Sequence, residues 1–310
     1  MTPPQGAPPT PVIIRPPRLK PGDTLGVAAP SGPFDIATFE RGMDVLREMG
    51  FALKIPEGIY KRNGFLAGPD PERADIINRL ICDPAVKGIV CARGGYGATR
   101  LEPYLDWEAI RTHPKAFIGF SDITVLHHLI VSRCGLATFH GPMGTTLGSA
   151  PPESRQAFVQ ALTSATPIVV PARQATVIRP GEGRGPVAGG NLTMLGHLLG
   201  TPLQPDFEGR LLVLEEVNEA PYRIDRMLWQ LKLAGCFQGL AGICFGDFVD
   251  CGDVSTIVAI LTDLFQDSPY PVLTGLPVGH GRVNHTLPLG LEAVLTTDPP
   301  QLRFTSPATV

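Results

Sequence analysis

The chain has 310 residues, of which 43% are hydrophobic, and a formal net charge of −3. That length suits two domains or one large one, and the apolar content supports a sizeable core, which excludes general disorder. The near-neutral balance argues against a nucleic-acid or membrane-surface role, since both need a basic face, and no apolar run reaches the ~18 residues of a bilayer span.

Residues 1–18 are rich in proline, show little periodicity and lack the apolar centre of a secretory signal. They read as an extended arm, and the chain as a soluble cytoplasmic protein. The segment from Asp23 to Pro33 gives a short apolar strand ending in a small, rigid turn at Ala29–Pro33. Residues 36–49 carry Phe39, Met43 and Leu46 at helical spacing, with Gly50 as a C-cap. A strand at 51–55, a helix at 70–85 and a buried strand at 87–92 follow. Strands alternating with helices of this length indicate a parallel sheet with crossover helices.

The last of these strands leads into Arg93-Gly-Gly-Tyr-Gly97. A glycine-rich loop after a parallel strand can cradle an anion, but neither the Walker nor the dinucleotide spacing is present. Residues 117–124, Phe-Ile-Gly-Phe-Ser-Asp-Ile-Thr, then read as strand, sharp turn and helix, with Ser121 at the apex. Such a turn pushes the hydroxyl out at the sheet edge and sets a helix N-terminus behind it, the arrangement of a nucleophile elbow. Gly-x-Ser-x-Gly is not literally present, because Ile123 stands where the second glycine would be. From this octet alone a simple helix cap is the commoner explanation. In an open α/β sheet the two loops can meet in one crevice.

A short strand ends at His140, where a lone histidine before Gly-Pro is more often structural than catalytic. Beyond a helix at 153–163, proline, glycine and small polar residues accumulate to 186 and mark a domain boundary. Gly189-Gly190 reads as a turn, with Asn191 capping the next helix. The strand Arg210–Leu214 runs into the acidic pair Glu215-Glu216, and residues 222–234 form an amphipathic helix closed by Gly235. A strand ends at Gly246-Asp247, a helix spans 254–265, a strand from 272 runs into Gly279-His280-Gly281, and short strands cover 284–289 and 292–297. The six cysteines are scattered without a Cys-x-x-Cys pair and the seven histidines form no metal pair, so no metal site is expected.

Ser121, Glu215 and His280 supply the residue types of serine nucleophilic catalysis, in which imidazole takes the hydroxyl proton and a carboxylate fixes the imidazole tautomer. Spacing alone does not bring them together. The ordered set Val27-Ala-Ala-Pro-Ser31, Arg93-Gly-Gly-Tyr-Gly97, Gly119-Phe-Ser-Asp122, Phe139-His-Gly-Pro142, Gly189-Gly-Asn-Leu192, Leu214-Glu215, Tyr222-Arg-Ile-Asp-Arg-Met-Leu228, Gly279-His280 and Thr286-Leu-Pro-Leu-Gly290 resembles the LD-carboxypeptidase family of serine peptidases. That family includes muramoyl-tetrapeptide carboxypeptidases and microcin C self-immunity peptidases. The likeness covers about residues 18–300.

The resemblance implies an α/β protein with two domains. A flavodoxin-like parallel-sheet domain (19–165) would carry the nucleophile, a linker (166–186) would follow, and a β-rich α/β domain (187–310) would carry the other two groups, with the site in the cleft between. Ser121 would be the nucleophile, His280 the base and Glu215 its orienting partner. The family's glutamate is the first of its acidic pair, which favours Glu215 over Glu216, and the Gly-His context favours His280 over His285. Backbone N–H groups of Asp122 and of the Gly94-Gly95 loop would hold the oxyanion, and Asn191 would hold substrate. The implied reaction is hydrolysis of the L-to-D peptide bond of a cytoplasmic murein tetrapeptide, releasing D-alanine, with no metal or organic cofactor. The expected partners are this peptide and a second copy of the chain. Rival expectations are cleavage of an aminoacyl-nucleotide amide and a non-catalytic peptide-binding protein of the same fold. For the nucleotide, an aromatic platform is expected within 145–185, where Phe158 is the one aromatic residue.

Overall fold

The computed structural model describes residues 13–310. The expected arm therefore lies outside the described residues up to position 12. Residues 13–18 pack on the domain: Ile14 bridges to Leu136, and the Arg18 N–H donates to the Val310 carbonyl at 2.7 Å.

The first half follows a strand–helix rhythm. In chain order it contains β1 (Thr24–Ala28), α1 (Ile36–Glu48), β2 (Ala52–Lys54), α2 (Asp70–Cys82), β3 (Val86–Cys91), α3 (Trp107–Thr112), β4 (Ala116–Gly119), α4 (Thr124–Leu129), β5 (Thr138–His140), α5 (Gly144–Leu147) and α6 (Pro152–Thr163). The second half contains β6 (Val169–Pro171), β7 (Val177–Arg179), β8 (Glu182–Asn191), α7 (Leu192–Gly196), β9 (Leu211–Val217), α8 (Pro221–Leu233), β10 (Gly242–Val249), α9 (Val254–Phe265), β11 (Val272–Leu273), β12 (Leu287–Leu289), β13 (Glu292–Thr297) and β14 (Pro300–Phe304).

Two sheets result. The first has six strands in the order β12-β5-β4-β3-β1-β2, parallel except for β12. The second has eight, β6-β14-β13-β8-β9-β10-β11-β7, with a parallel centre from β8 to β11. The segment 166–186, expected as a linker, supplies β6, β7 and the start of β8. β12, from the chain's last quarter, crosses back to pair with β5. The second half thus contributes an edge strand to the first sheet.

Strand β9 shows how the layers meet. Leu211 and Val213 point into the large core shared with the first sheet, while Leu212 and Leu214 point into a second core under α7, α8 and α9. A period of two sends alternate side chains to opposite faces, so the next two residues, Glu215 and Glu216, must also diverge.

Gly189 and Gly190 do not form the expected turn; they lie inside β8. At Gly190 φ is 133°, and a Cβ there would come within 2.5 Å of Thr124 Oγ1. The bare backbone lets β8 approach the start of α4, where Thr124 Oγ1 accepts the Asn191 N–H at 3.0 Å. Gly190→Ala is expected to cost well over about 1 kcal/mol, because φ and space both oppose it. Urea denaturation of the variant would measure this.

Candidate active site

Ser121 stands at a strained turn. β4 ends at Gly119, Phe120 remains extended, and Ser121 then takes φ 64° before one 3-10 turn (Ser121–Ile123) leads into α4. A non-glycine residue in this region is uncommon and costs about 1–3 kcal/mol. The turn sets Ser121 just past the carboxyl end of β4, with the Asp122 N–H beside it on the side of Gly94.

The glycine-rich loop lies directly against it. A Cβ on Gly94 would sit 2.9 Å from Ser121 Cβ and 3.0 Å from its Oγ, so only glycine lets this backbone lie beside the hydroxyl. Among the described residues the Gly94 and Gly95 N–H groups have no acceptor. Asp122 locks the two loops together: its Oδ2 accepts the Ala98 N–H at 2.8 Å. Burial raises the Asp122 pKa, and this hydrogen bond opposes that shift. Arg73 completes the scaffold, a buried guanidinium that donates to the carbonyls of Gly68 and Gly97, each at 3.1 Å, and of Pro30, and pairs with Asp70. Its position on the inner face of α2 hides it from sequence reading, because an arginine at helical spacing looks like a solvated residue.

His280 approaches from the second half. Its Nδ1 meets Glu215 Oε2 at 2.6 Å, and its ring packs on Phe120, the neighbour of Ser121, with centroids 4.7 Å apart. The turn carrying it is stapled by Asn284, whose Oδ1 accepts the Gly279 N–H at 3.1 Å and whose own N–H donates to Ser154 Oγ at 2.9 Å. Glu215 is fully buried. Burial pushes its pKa up, and the His280 hydrogen bond pulls it back. His285 faces away, with its Nε2 3.1 Å from Glu153. His140 is buried behind Phe120, and burial holds its pKa down to about 3, so it stays neutral.

Glu216 points to the opposite face. It accepts from Asn191 Nδ2 at 2.8 Å and from the Thr193 N–H at 2.7 Å and hydroxyl at 2.6 Å. Asn191 Oδ1 in turn caps α7 through the Met194 N–H at 3.1 Å. Asn191 is only 4% exposed and its side-chain amide is engaged within the protein, with Glu216 and with the start of α7. The expected helix-capping role is present.

Asp247, at the carboxyl end of β10, was expected only as a strand end. Burial, with Glu215 nearby, pushes its pKa up from 3.8 to about 6. The folded state therefore holds this proton more tightly than the unfolded chain does. Stability is highest below the unfolded value and declines as pH rises through about 6. Asp247→Asn is expected to raise the melting temperature at pH 7 and to flatten its fall between pH 4 and 6, read by calorimetry.

Residues 25–141 match the LD-carboxypeptidase N-terminal domain and residues 184–295 its C-terminal domain. The chain belongs to the LD-carboxypeptidase family. It is 40% identical to a putative carboxypeptidase of Synechocystis over 94% of this chain and 97% of that one. It is 37% identical to a probable murein peptide carboxypeptidase of Bacillus subtilis over 91% and 92%. Among solved structures, the microcin C7 self-immunity protein MccF bound to glutamyl sulfamoyl guanosine superposes with a TM-score of 0.88 at 27% identity, covering 96% of this chain and 99% of that one. Both of the family's domains are thus present, and among the described residues no helix is long and apolar enough to cross a membrane.

Proposed function

We propose that the protein is a serine carboxypeptidase that hydrolyses the L-to-D peptide bond of murein tetrapeptides in the cytoplasm. The observation that carries this reading is the His280–Glu215 pair seated on Phe120, beside the strained Ser121 turn. His280 Nε2 takes the Ser121 proton as Oγ attacks the carbonyl of the third residue. Glu215 holds Nδ1–H and stabilises the imidazolium. The N–H groups of Gly94, Gly95 and Asp122 receive the oxyanion. Collapse of the tetrahedral intermediate breaks the C–N bond, and His280 returns the proton to the amine of the departing D-alanine. Water, deprotonated by His280, then cleaves the acyl-enzyme to release the tripeptide.

The aminoacyl-nucleotide alternative draws on the likeness to MccF. It wants an aromatic platform, and Phe158, the one aromatic side chain in 145–185, is fully buried in α6, which favours the peptide. A mass-spectrometric assay with a murein tetrapeptide and an aminoacyl sulfamoyl adenosine tests the reading. Release of D-alanine from the first is expected. Cleavage of the adenosine conjugate alone moves the protein to the immunity branch, and turnover of neither removes the peptidase reading.

A further inference from the structure

A cavity of about 460 Å³ lies where the two halves of the chain meet, and the reaction above leaves it unused. One wall is the later part of α4 with the turn that follows it, residues 127–133. The opposite wall combines residues 186–189 of β8 with the segment 202–210 that leads into β9. Arg210 precedes β9 and Glu215 is that strand's fifth residue, so roughly 16 Å of extended chain separates the two. The cavity is thus distinct from the His280–Glu215 pair, and its size suits a small molecule.

The charges on its wall are unevenly answered. Arg133 pairs with Glu102 at 2.6 Å. His128 Nε2 donates to the Leu203 carbonyl at 3.1 Å, and burial holds its pKa down, so the ring stays neutral. Arg210 is different. Its backbone is fixed, with its N–H donating to the Phe207 carbonyl at 3.0 Å and its carbonyl accepting the Ala241 N–H at 2.9 Å. Its guanidinium is half-buried, yet among the described residues it has no ion pair and no side-chain hydrogen bond. Burial pulls its pKa down, and Asp206 pulls it back up from beyond ion-pair distance. A cation partly withdrawn from water normally has an anionic partner, and the planar fork of a guanidinium matches the two oxygens of a carboxylate.

Two further features narrow the ligand. Asp206 and Glu208 stand exposed on the same wall, so a second negative charge on the ligand would meet repulsion. Much of the remaining lining is apolar, including Val131, Leu195 and Phe207. We propose that this cavity is a binding site for a small aliphatic monocarboxylate, with the carboxylate on Arg210 and the hydrocarbon tail against Val131, Leu195 and Phe207. The ligand spans the turn after α4 and the segment entering β9, and so ties the two halves together. The site makes no use of Ser121 and is independent of the peptidase reading.

Calorimetric titration of the full chain with hexanoate, octanoate, hexanamide and inorganic phosphate tests it. Hexanoate is expected to bind at least about tenfold tighter than hexanamide, as a hydrogen bond between charged groups predicts. Octanoate should gain about tenfold over hexanoate from its two extra methylenes, and phosphate should bind more weakly than either carboxylate. Arg210→Gln should erase the hexanoate-to-hexanamide ratio, Arg210→Lys should keep a preference for the carboxylate, and Arg133→Gln on the facing wall should leave the ratio standing. Arg210→Gln removes a partly buried charge that has no partner, so it should melt no lower than the wild type, and a lost ratio would not reflect unfolding. Hexanoate should raise the melting temperature of the wild type by mass action and leave that of Arg210→Gln unchanged. Equal affinities for hexanoate and hexanamide, no binding of hexanoate, a ratio that survives Arg210→Gln or is lost in Arg133→Gln, or phosphate bound more tightly than hexanoate overturns the proposal.

Discussion

Ser121→Ala is expected to lower kcat on a murein tetrapeptide by about 10⁴-fold or more while leaving the fold intact, since loss of a serine nucleophile leaves only the contributions of binding and the oxyanion site. The companion variant is Ser121→Gly. Ser121 is held at φ 64°, a region where glycine sits without strain. The glycine protein should therefore be as inactive as the alanine protein and more stable than it, by roughly 1 kcal/mol. Single-turnover kinetics and urea denaturation of both variants give the two numbers. Near-wild-type turnover by either one would remove Ser121 from the chemistry. Equal stability of the two would show that the turn carries no stored strain. Opposite changes in activity and stability from one residue are what a functionally strained position produces.

The strand, sharp turn and helix around Ser121 were legible because three local signals agree there: an apolar run, glycine before the turn and helical spacing after it. Helix α8 was legible for the same reason, since Ile224, Leu228 and Leu231 repeat at 3.6 and Gly235 ends the pattern. β8 was not. Glu182–Asn191 contains glycine, proline and charge at positions that local propensity assigns to a loop, yet β9 and β13 on either side make it a strand. What decides such a segment is the neighbouring backbone, which local sequence does not describe. β12 is hidden likewise, because its partner β5 lies roughly 150 residues earlier. The site divides along the same line. Its residue types could be read from strand ends, whereas Arg73, Asn284 and Asp247 act through packing between distant segments.

Glu215 and Glu216 are expected to fail in different ways, and the pleat of β9 is the reason. Glu215→Gln should cut kcat by about 10³–10⁴-fold, because an amide that donates toward His280 Nδ1 favours the wrong tautomer and no longer stabilises the imidazolium. It should not destabilise the fold. Burial raises the Glu215 pKa, and Oε1 has no partner among the described residues, so a neutral side chain relieves a buried charge. Glu216→Gln should do the reverse. Its two oxygens accept from Asn191 Nδ2, from the Thr193 N–H and hydroxyl, and from the Val217 N–H at 2.9 Å. Replacing one acceptor by an NH₂ group confronts donor with donor at the start of α7, for a loss of at least about 2 kcal/mol. Its effect on kcat should be far smaller than that of Glu215→Gln, since it reaches His280 only through the pairing of Asn191 with Glu215 along the two strands. Measured together, kcat and denaturation midpoints should place the two variants at opposite corners of a rate-against-stability plot. The reverse ranking in rate would transfer the orienting role to Glu216 and overturn the assignment of this site.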